Sequence, residues 1–452
     1  MLLFAQFIFP VTSEPIVGGA VLVRDGKIVD VGSADMLKLR YPDEESIDFG
    51  AAALMPGLVD LHTRLDQAVM RGLINDEPFA KWVVSCAEYT SRLEAPDLYE
   101  SAILGGLDAL SSGITTVADS TVSSATCRAM QELGLRGVAY RQVAAMDKQR
   151  IDYAMRAAEN DIAKWQAKVD PDRIKIGISP GAVYFNHPAV FGRVSEFATR
   201  EDLPVAMRLA GSREEFNFVM YGSSMFSVHT MHNAARGYVE IPPWLPTGVT
   251  PVRYALNWGA FESPNVMMVH AVHVNDDDIQ KMRAYDVSVC VCPRANAQLG
   301  RGTAPLGDFL QAGLRVGFGT DSPAATDSTD MISETRMCML IQRATDRRLF
   351  LESAKVLELA TLGGARALKM DDAIGSIDIG KRADLIAVDM SSSHHSAGID
   401  PVSTVVNTCS ASDVIMTMVD GKVLYEKNRW NVDVEVAKNI ARVIEIRSKL
   451  RK

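Results

Sequence analysis

Residues 265–322 read NVMMVHAVHVNDDDIQKMRAYDVSVCVCPRANAQLGRGTAPLGDFLQAGLRVGFGTDS. Three apolar runs, Asn265–Val272, Val287–Pro293 and Leu314–Ser322, alternate with the helix-patterned stretches DDDIQKMRAYD and PLGDFLQAG. Near-continuous apolar strands separated by helices mean a parallel sheet covered by helices. The alternation continues toward the N-terminus through Thr115–Ser120, Leu135–Val143, Ile174–Pro180 and Leu203–Gly211. Adding the segment that ends in PGLVDLHT at Thr63 gives eight strands, so the α/β pattern predicts one (β/α)8 TIM-type barrel over residues 56–370.

The two ends of the chain resemble each other. GGAVLVRDGKIVDVG (Gly18–Gly32) and ASDVIMTMVDGKVLYEKNRW (Ala411–Trp430) each place β-rich runs around an Asp-Gly pair. Asp-Gly between such runs signals a hairpin, because the turn needs positive φ at its centre. Residues 1–55 and 371–452 are therefore expected to build one small β unit, with SSSHHSAGID (391–400) a surface loop within it.

Charge and composition narrow the function classes. Lys and Arg number 47 against 56 Asp and Glu, a net charge of −9, which argues against a nucleic-acid partner. No apolar run reaches the length that spans a bilayer, about 20 residues. The opening MLLFAQFIFPV lacks a basic flank and a cleavage site and reads as a strand. Six cysteines without a CxxC pair exclude a disulfide framework; Cys290 and Cys292 read as packing. A cytoplasmic protein without membrane contact is expected. In a barrel of this kind chemistry sits at the C-terminal strand ends. That rule selects His62, Gly181, Arg208, His270, Asn296 and Asp321.

At these residues the chain resembles the amidohydrolase superfamily, in its branch of chlorohydrolases and of cytosine, guanine and S-adenosylhomocysteine deaminases. The resemblance rests on ALMPGLVDLHT (Ala53–Thr63), VHAVHV followed by DDDI (Val269–Ile279), CPRANAQLGRGTAP (Cys292–Pro305), GFGTDS (Gly317–Ser322), LATLGGARAL (Leu359–Leu368) and GSIDIGKRADLIAVD (Gly375–Asp389). It implies a distorted (β/α)8 barrel with a small β-sandwich formed by both termini. It also implies one zinc or iron ion at the barrel mouth, held by two His of a His-x-His, a middle-strand His and a last-strand Asp. A further His orients the metal-bound hydroxide, and a Glu moves protons.

Carried over position by position, that ligand set is incomplete. The first pattern reads His62-Thr63-Arg64, the middle-strand His corresponds to Arg208, and the Glu corresponds to Gly211. A strand-four pattern that commonly carries a substrate-touching His reads Pro180-Gly181-Ala182-Val183-Tyr184. Only His62, His270 and Asp321 keep the family identity. A guanidinium has no lone pair to give a cation. No metal or other cofactor is therefore expected, with zinc or iron retained only in a rearranged site.

The arginines have two compatible readings. They neutralise Asp321, with Asp60 and Asp66 as rival partners, or they bind an anionic substrate group. The expected roles are catalysis by His270 and Asp321 and substrate binding by Arg64, Arg208, Asn296 and Tyr184. His62 and Asp321 remain as residual metal-ligand positions. Bland readings are kept for the rest: His273 bonded locally at the next helix start, and Glu77 and Trp82 on a helix surface. Met220, Met225 and Met231 read as packing, and His229 with His232 as a weak metal spacing.

Together these readings predict a hydrolase of a carbon–nitrogen or carbon–halogen bond in a small cyclic molecule, anionic on the second reading of the arginines. The alternative is a non-catalytic ligand-binding or partner subunit; the third reading is a conventional metal-dependent deaminase with a rearranged site. The resemblance also allows a homo-oligomer.

Overall fold

The computed structural model describes residues 1–227, 246–346, 348–395 and 398–451. Eight parallel strands follow one another in sequence and in space: β1 (Leu58–Thr63), β2 (Ile114–Thr121), β3 (Arg136–Gln142), β4 (Ile174–Ala182), β5 (Val205–Leu209), β6 (Val266–His270), β7 (Ser288–Val291) and β8 (Val316–Phe318). A parallel bridge between Thr63 and Asp321 joins the last strand end to the first and brings the sheet nearly to closure. Apolar side chains of β1, β2, β3, β5, β6 and β7, among them Leu61, Ala118, Tyr140, Ala206, Met267 and Cys290, form one buried cluster. A closed sheet packs the inward half of its side chains in this way.

Local chemistry starts and stops the intervening helices. Asn275 caps Asp276–Ala284 through a reciprocal pair with Asp278, and Ser212 accepts from the Glu215 N–H at the start of Arg213–Tyr221. Left-handed Gly134 and Gly222 end their helices.

The two Asp-Gly pairs are hairpin turns. Asp25 and Gly26 (φ 48° and 74°) join Ile16–Arg24 to Lys27–Ser33, and Asp420 and Gly421 (φ 48° and 73°) join Val414–Val419 to Lys422–Glu426. Both hairpins enter one nine-stranded mixed sheet, in which Leu385–Asp389 and Ala52–Pro56 link the C-terminal strands to the N-terminal ones. Its two turns abut: a Cβ on Gly26 would lie 2.9 Å from the Asp420 carbonyl oxygen.

One buried clasp fixes this sheet to the barrel floor. Arg136, at the start of β3, donates to Asp384 Oδ2 and to Asp420 Oδ1, each at 2.5 Å. No helix among the described residues is long and apolar enough to cross a membrane.

Cys290 and Cys292 are buried with sulfurs 3.8 Å apart, in keeping with packing. Of the methionine-rich segment, Met225 is exposed and Phe226 stacks on Tyr184, with centroids 4.2 Å apart. His229, Met231 and His232 lie outside the described residues.

Candidate active site at the barrel mouth

The strand ends bend sharply. Ala210, His270, Ala271 and Asp321 all take φ between 49° and 77°, a region costly for residues other than glycine. Such strain persists only where surrounding structure enforces it, and it clusters at functional sites.

Asp321 is the centre of the mouth. Its carboxylate lies 3.7 Å from Arg301 Nη1, 3.7 Å from His62 Nε2 and 3.9 Å from His270 Nε2. Burial pushes its pKa up, but Arg301 above all, with the two imidazoles and the Ser322 N–H, outweighs burial and holds the carboxyl well below its ordinary range. Its Oδ2 is buried without a hydrogen bond among the described residues. Burial pushes His62 down to about 4 and His270 down as well, with Arg301 adding to the second shift. Both rings are therefore neutral at pH 7.

Arg301 was not a sequence candidate, and it takes the place expected of Arg64 and Arg208 beside Asp321. Its Nη1 lies 2.6 Å from His270 Nε2 and 3.0 Å from Nδ1, and its guanidinium carbon sits 4.0 Å over the Phe79 ring. It stands in the motif LGRGTAP, whose composition says only that a cation is present. Its proximity to Asp321 arises from the loop after the helix Pro293–Gln298.

Arg64 instead faces Asp66, Nε to Oδ1 3.3 Å. Burial works against the Arg64 cation, and Asp66 and Asp119 outweigh it. Asp119 accepts from the Leu65 N–H and is pushed up to about 8 by burial and by Asp66. Asp60 pairs with no arginine; it accepts from the Thr320 hydroxyl and N–H and the His62 N–H, and burial raises it to about 7. Arg64 thus takes the rival partner Asp66 in place of Asp321, and neither arginine makes an ion pair with Asp321 or Asp60 among the described residues.

Arg208 is the exception among these charges. It is half-buried and makes neither a hydrogen bond nor an ion pair among the described residues, although Tyr184 and Asp321 lie near enough to favour its charge. Burial and then the nearby Arg64 and Arg301 pull its pKa down, yet a guanidinium remains a cation at pH 7. Arg64, Arg208, Arg301 and Asp321 line one cavity of about 340 Å³ with Gln67, Trp82, Cys86, Gln142, Phe185 and Ser322.

The other expected residues divide. Tyr184 lies near Arg208 and is raised to about 12 by burial, but its neighbour Phe185 lines the cavity. Asn296 is buried behind the mouth, beside Gly302, Thr303 and Gln342, so it stands apart from the cavity that holds the arginines. Trp82 is no surface residue: it lines the cavity and donates to the Ala324 carbonyl at 3.1 Å. Glu77 precedes the helix Phe79–Ser91 and bonds to Ser85 and Lys81 on it. His273 contacts the Arg301 carbonyl, not the next helix start, where Asn275 supplies the cap. Sequence reading missed Glu215, which accepts from the Ala210 and Gly211 N–H groups and rises to about 7 through burial.

A sequence model of the amidohydrolase family matches residues 53–424, and one of a bacterial imidazolonepropionase-like composite domain matches residues 19–43. The chain belongs to the amidohydrolase family. Among its relatives is a 5-methylthioadenosine/S-adenosylhomocysteine deaminase of Pelotomaculum thermopropionicum, 30% identical, covering 92% of this chain and 91% of the relative. A 5'-deoxyadenosine deaminase of Methanosarcina acetivorans is 28% identical over 93% and 92%. Two solved amidohydrolase-fold structures also align along nearly the whole chain. An adenosine deaminase from Xanthomonas campestris with bound zinc has TM-score 0.86 and 24% identity, covering 100% of this chain and 98% of the other. An atrazine chlorohydrolase from Arthrobacter aurescens, complexed with zinc, has TM-score 0.82 and 22% identity, covering 99% of each.

Proposed function

We propose that this amidohydrolase-family protein is a hydrolase of a carbon–nitrogen or carbon–halogen bond in a small cyclic anion, working without a metal at the family position. The carrying observation is the cavity itself, where the guanidiniums of Arg64, Arg208 and Arg301 gather around the single carboxylate of Asp321 and Arg208 makes no hydrogen bond or ion pair among the described residues. Three cations facing one carboxylate leave the cavity with an excess of positive charge, which an anionic ligand offsets. The cavity is of a size that small-molecule sites use, and Trp82 and Phe185 offer flat apolar surface to a ring.

The donor set does not fit a divalent ion. Arg64 and Arg208 offer no lone pair, and Arg301 sets a guanidinium nitrogen against both His270 nitrogens and near Asp321. A Cβ on Gly211 would lie 3.2 Å from His270 Cδ2, so a side chain there would require the His270 ring to shift by a few tenths of an ångström.

In the proposed reaction, guanidiniums bind the substrate anion and offset charge that develops on the ring as water adds. Asp321 Oδ2 accepts the water proton and returns it to the leaving group. The bound anion screens Arg301 and Arg208 from Asp321, which raises the basicity of a carboxylate that is otherwise too acidic. His62 and His270 stay neutral and hold Asp321 in place.

One observation favours the second reading, a ligand-binding protein without turnover: Arg301 already covers the His270 ring nitrogens. Thermal-shift screening with anionic and neutral nitrogen heterocycles, followed by assay of ammonia and halide release, separates the readings. Stabilisation and turnover specific to anions, both lost in Arg208→Ala, support the hydrolase; stabilisation alone supports the binder. Equal binding of neutral rings by the wild type and Arg208→Ala overturns both.

A further inference from the structure

After the sheet strand Leu385–Asp389 the chain passes through His394 and His395, and there a bare nitrogen faces a carboxylate. The His395 side chain is fully buried, while His394 is exposed and lies against it, ring centroids 3.7 Å apart. His395 Nδ1 is 2.8 Å from Thr408 Oγ1. That hydroxyl also lies 2.8 Å from the Thr404 carbonyl, which can only accept; with its one proton given there, it accepts from His395. The ring proton therefore sits on Nδ1, and in the neutral ring Nε2 carries a lone pair.

Nε2 is sealed from solvent and has no hydrogen bond among the described residues. Asp413 Oδ1 stands 3.5 Å away. The other Asp413 oxygen is already occupied, accepting from the Ser410 N–H (2.7 Å) and hydroxyl (3.0 Å). A lone pair on a buried nitrogen and a carboxylate oxygen facing each other favour something positive between them. Ligand atoms of His394, His395 and Asp413 all lie within 4.8 Å of one another.

We propose that His394, His395 and Asp413 bind a divalent cation of the zinc type, which ties the His394–His395 loop to the turn that starts the last hairpin. Two imidazoles and a carboxylate suit zinc over calcium or magnesium, which prefer all-oxygen sets. The Nδ1–H bond to Thr408 is the outer contact that metal-ligating histidines usually make. Cys409 Sγ lies 3.8 Å from Nδ1, on the side of the ring away from the cation, so it is no ligand. The fourth position, beside exposed His394, is left to water.

The test uses the full chain, stripped with chelator and titrated with zinc chloride by calorimetry, then with cobalt chloride by visible absorption. One equivalent should bind, raise Tm and give cobalt bands. His394→Ala, at an exposed side chain, and Asp413→Asn should each weaken binding at least about tenfold, while Arg208→Ala leaves the stoichiometry unchanged. Zinc binding that is the same in His394→Ala and Asp413→Asn overturns the proposal. So does an absence of zinc binding together with nitrogen NMR shifts showing His395 doubly protonated at pH 7, which would mean that a proton fills the gap.

Discussion

The floor and the mouth of this barrel treat charge in opposite ways. At the floor, Arg136 is shared by Asp384 and Asp420, and Asp384 also accepts the Asp420 N–H. At the mouth, Asp321 Oδ2 and His62 Nδ1 are buried without a hydrogen bond among the described residues, and half-buried Arg208 makes neither a hydrogen bond nor an ion pair there. Saturated networks rigidify, whereas unsatisfied buried groups persist where something else is to be bound. The floor holds two sheets together; the mouth is prepared for a ligand.

Breaking the floor should be the costliest change. Arg136→Met leaves buried Asp384 without its cation, with Arg382 still beside Asp420, and should lower stability by about 3–5 kcal/mol, read from urea unfolding, while the folded fraction still binds the same anions. A loss below about 1 kcal/mol would remove the contrast.

A pH experiment sharpens it at the mouth. The folded pKa of Asp60, about 7, lies above its unfolded value of 3.8. Its contribution to stability is thus complete below the unfolded pKa and is lost as pH rises through 7. Relative to Asp60→Asn, the wild type should lose about 1.4 kcal/mol per pH unit across the middle of that window, measured by unfolding at several pH values. Parallel stability curves for the two proteins would refute the raised pKa.

Next comes Arg208→Ala. It should weaken anion binding about 10–100-fold, about 1.4–2.7 kcal/mol, yet leave the free protein no less stable, because it removes a cation without a partner. Calorimetry and unfolding check the two halves, and a large stability loss would mean that Arg208 is structural. The smallest effect is expected at Thr408→Val, which removes the acceptor for His395 Nδ1–H and should weaken zinc binding about tenfold.

Much of the frame was legible because its signals are local. Asn275 with Asp278 announces a helix start, and Asp25-Gly26 and Asp420-Gly421 announce turns through their own φ preferences. The candidate site was legible in part. His62, Arg64, Arg208, His270 and Asp321 stand at strand ends as the alternation requires, and Arg64, Arg208 and Asp321 share the cavity. Asn296 lies in the helix Pro293–Gln298 and does not line the cavity of the arginines, and Trp82 was read as surface because helix periodicity does not show which surface a helix is laid against.

The sequence by itself determined the alternation of strand and helix, the two hairpins and the presence of arginine where relatives of this family are expected to keep ligands. Those depend on backbone preferences and residue chemistry within a few positions. Tertiary structure alone decided that Arg301 faces Asp321, that Arg64 turns to Asp66, that Arg208 stays without a partner, and that His395 meets Asp413. Long charged side chains reach any of several opposite charges, and only the burial of each pair selects among them.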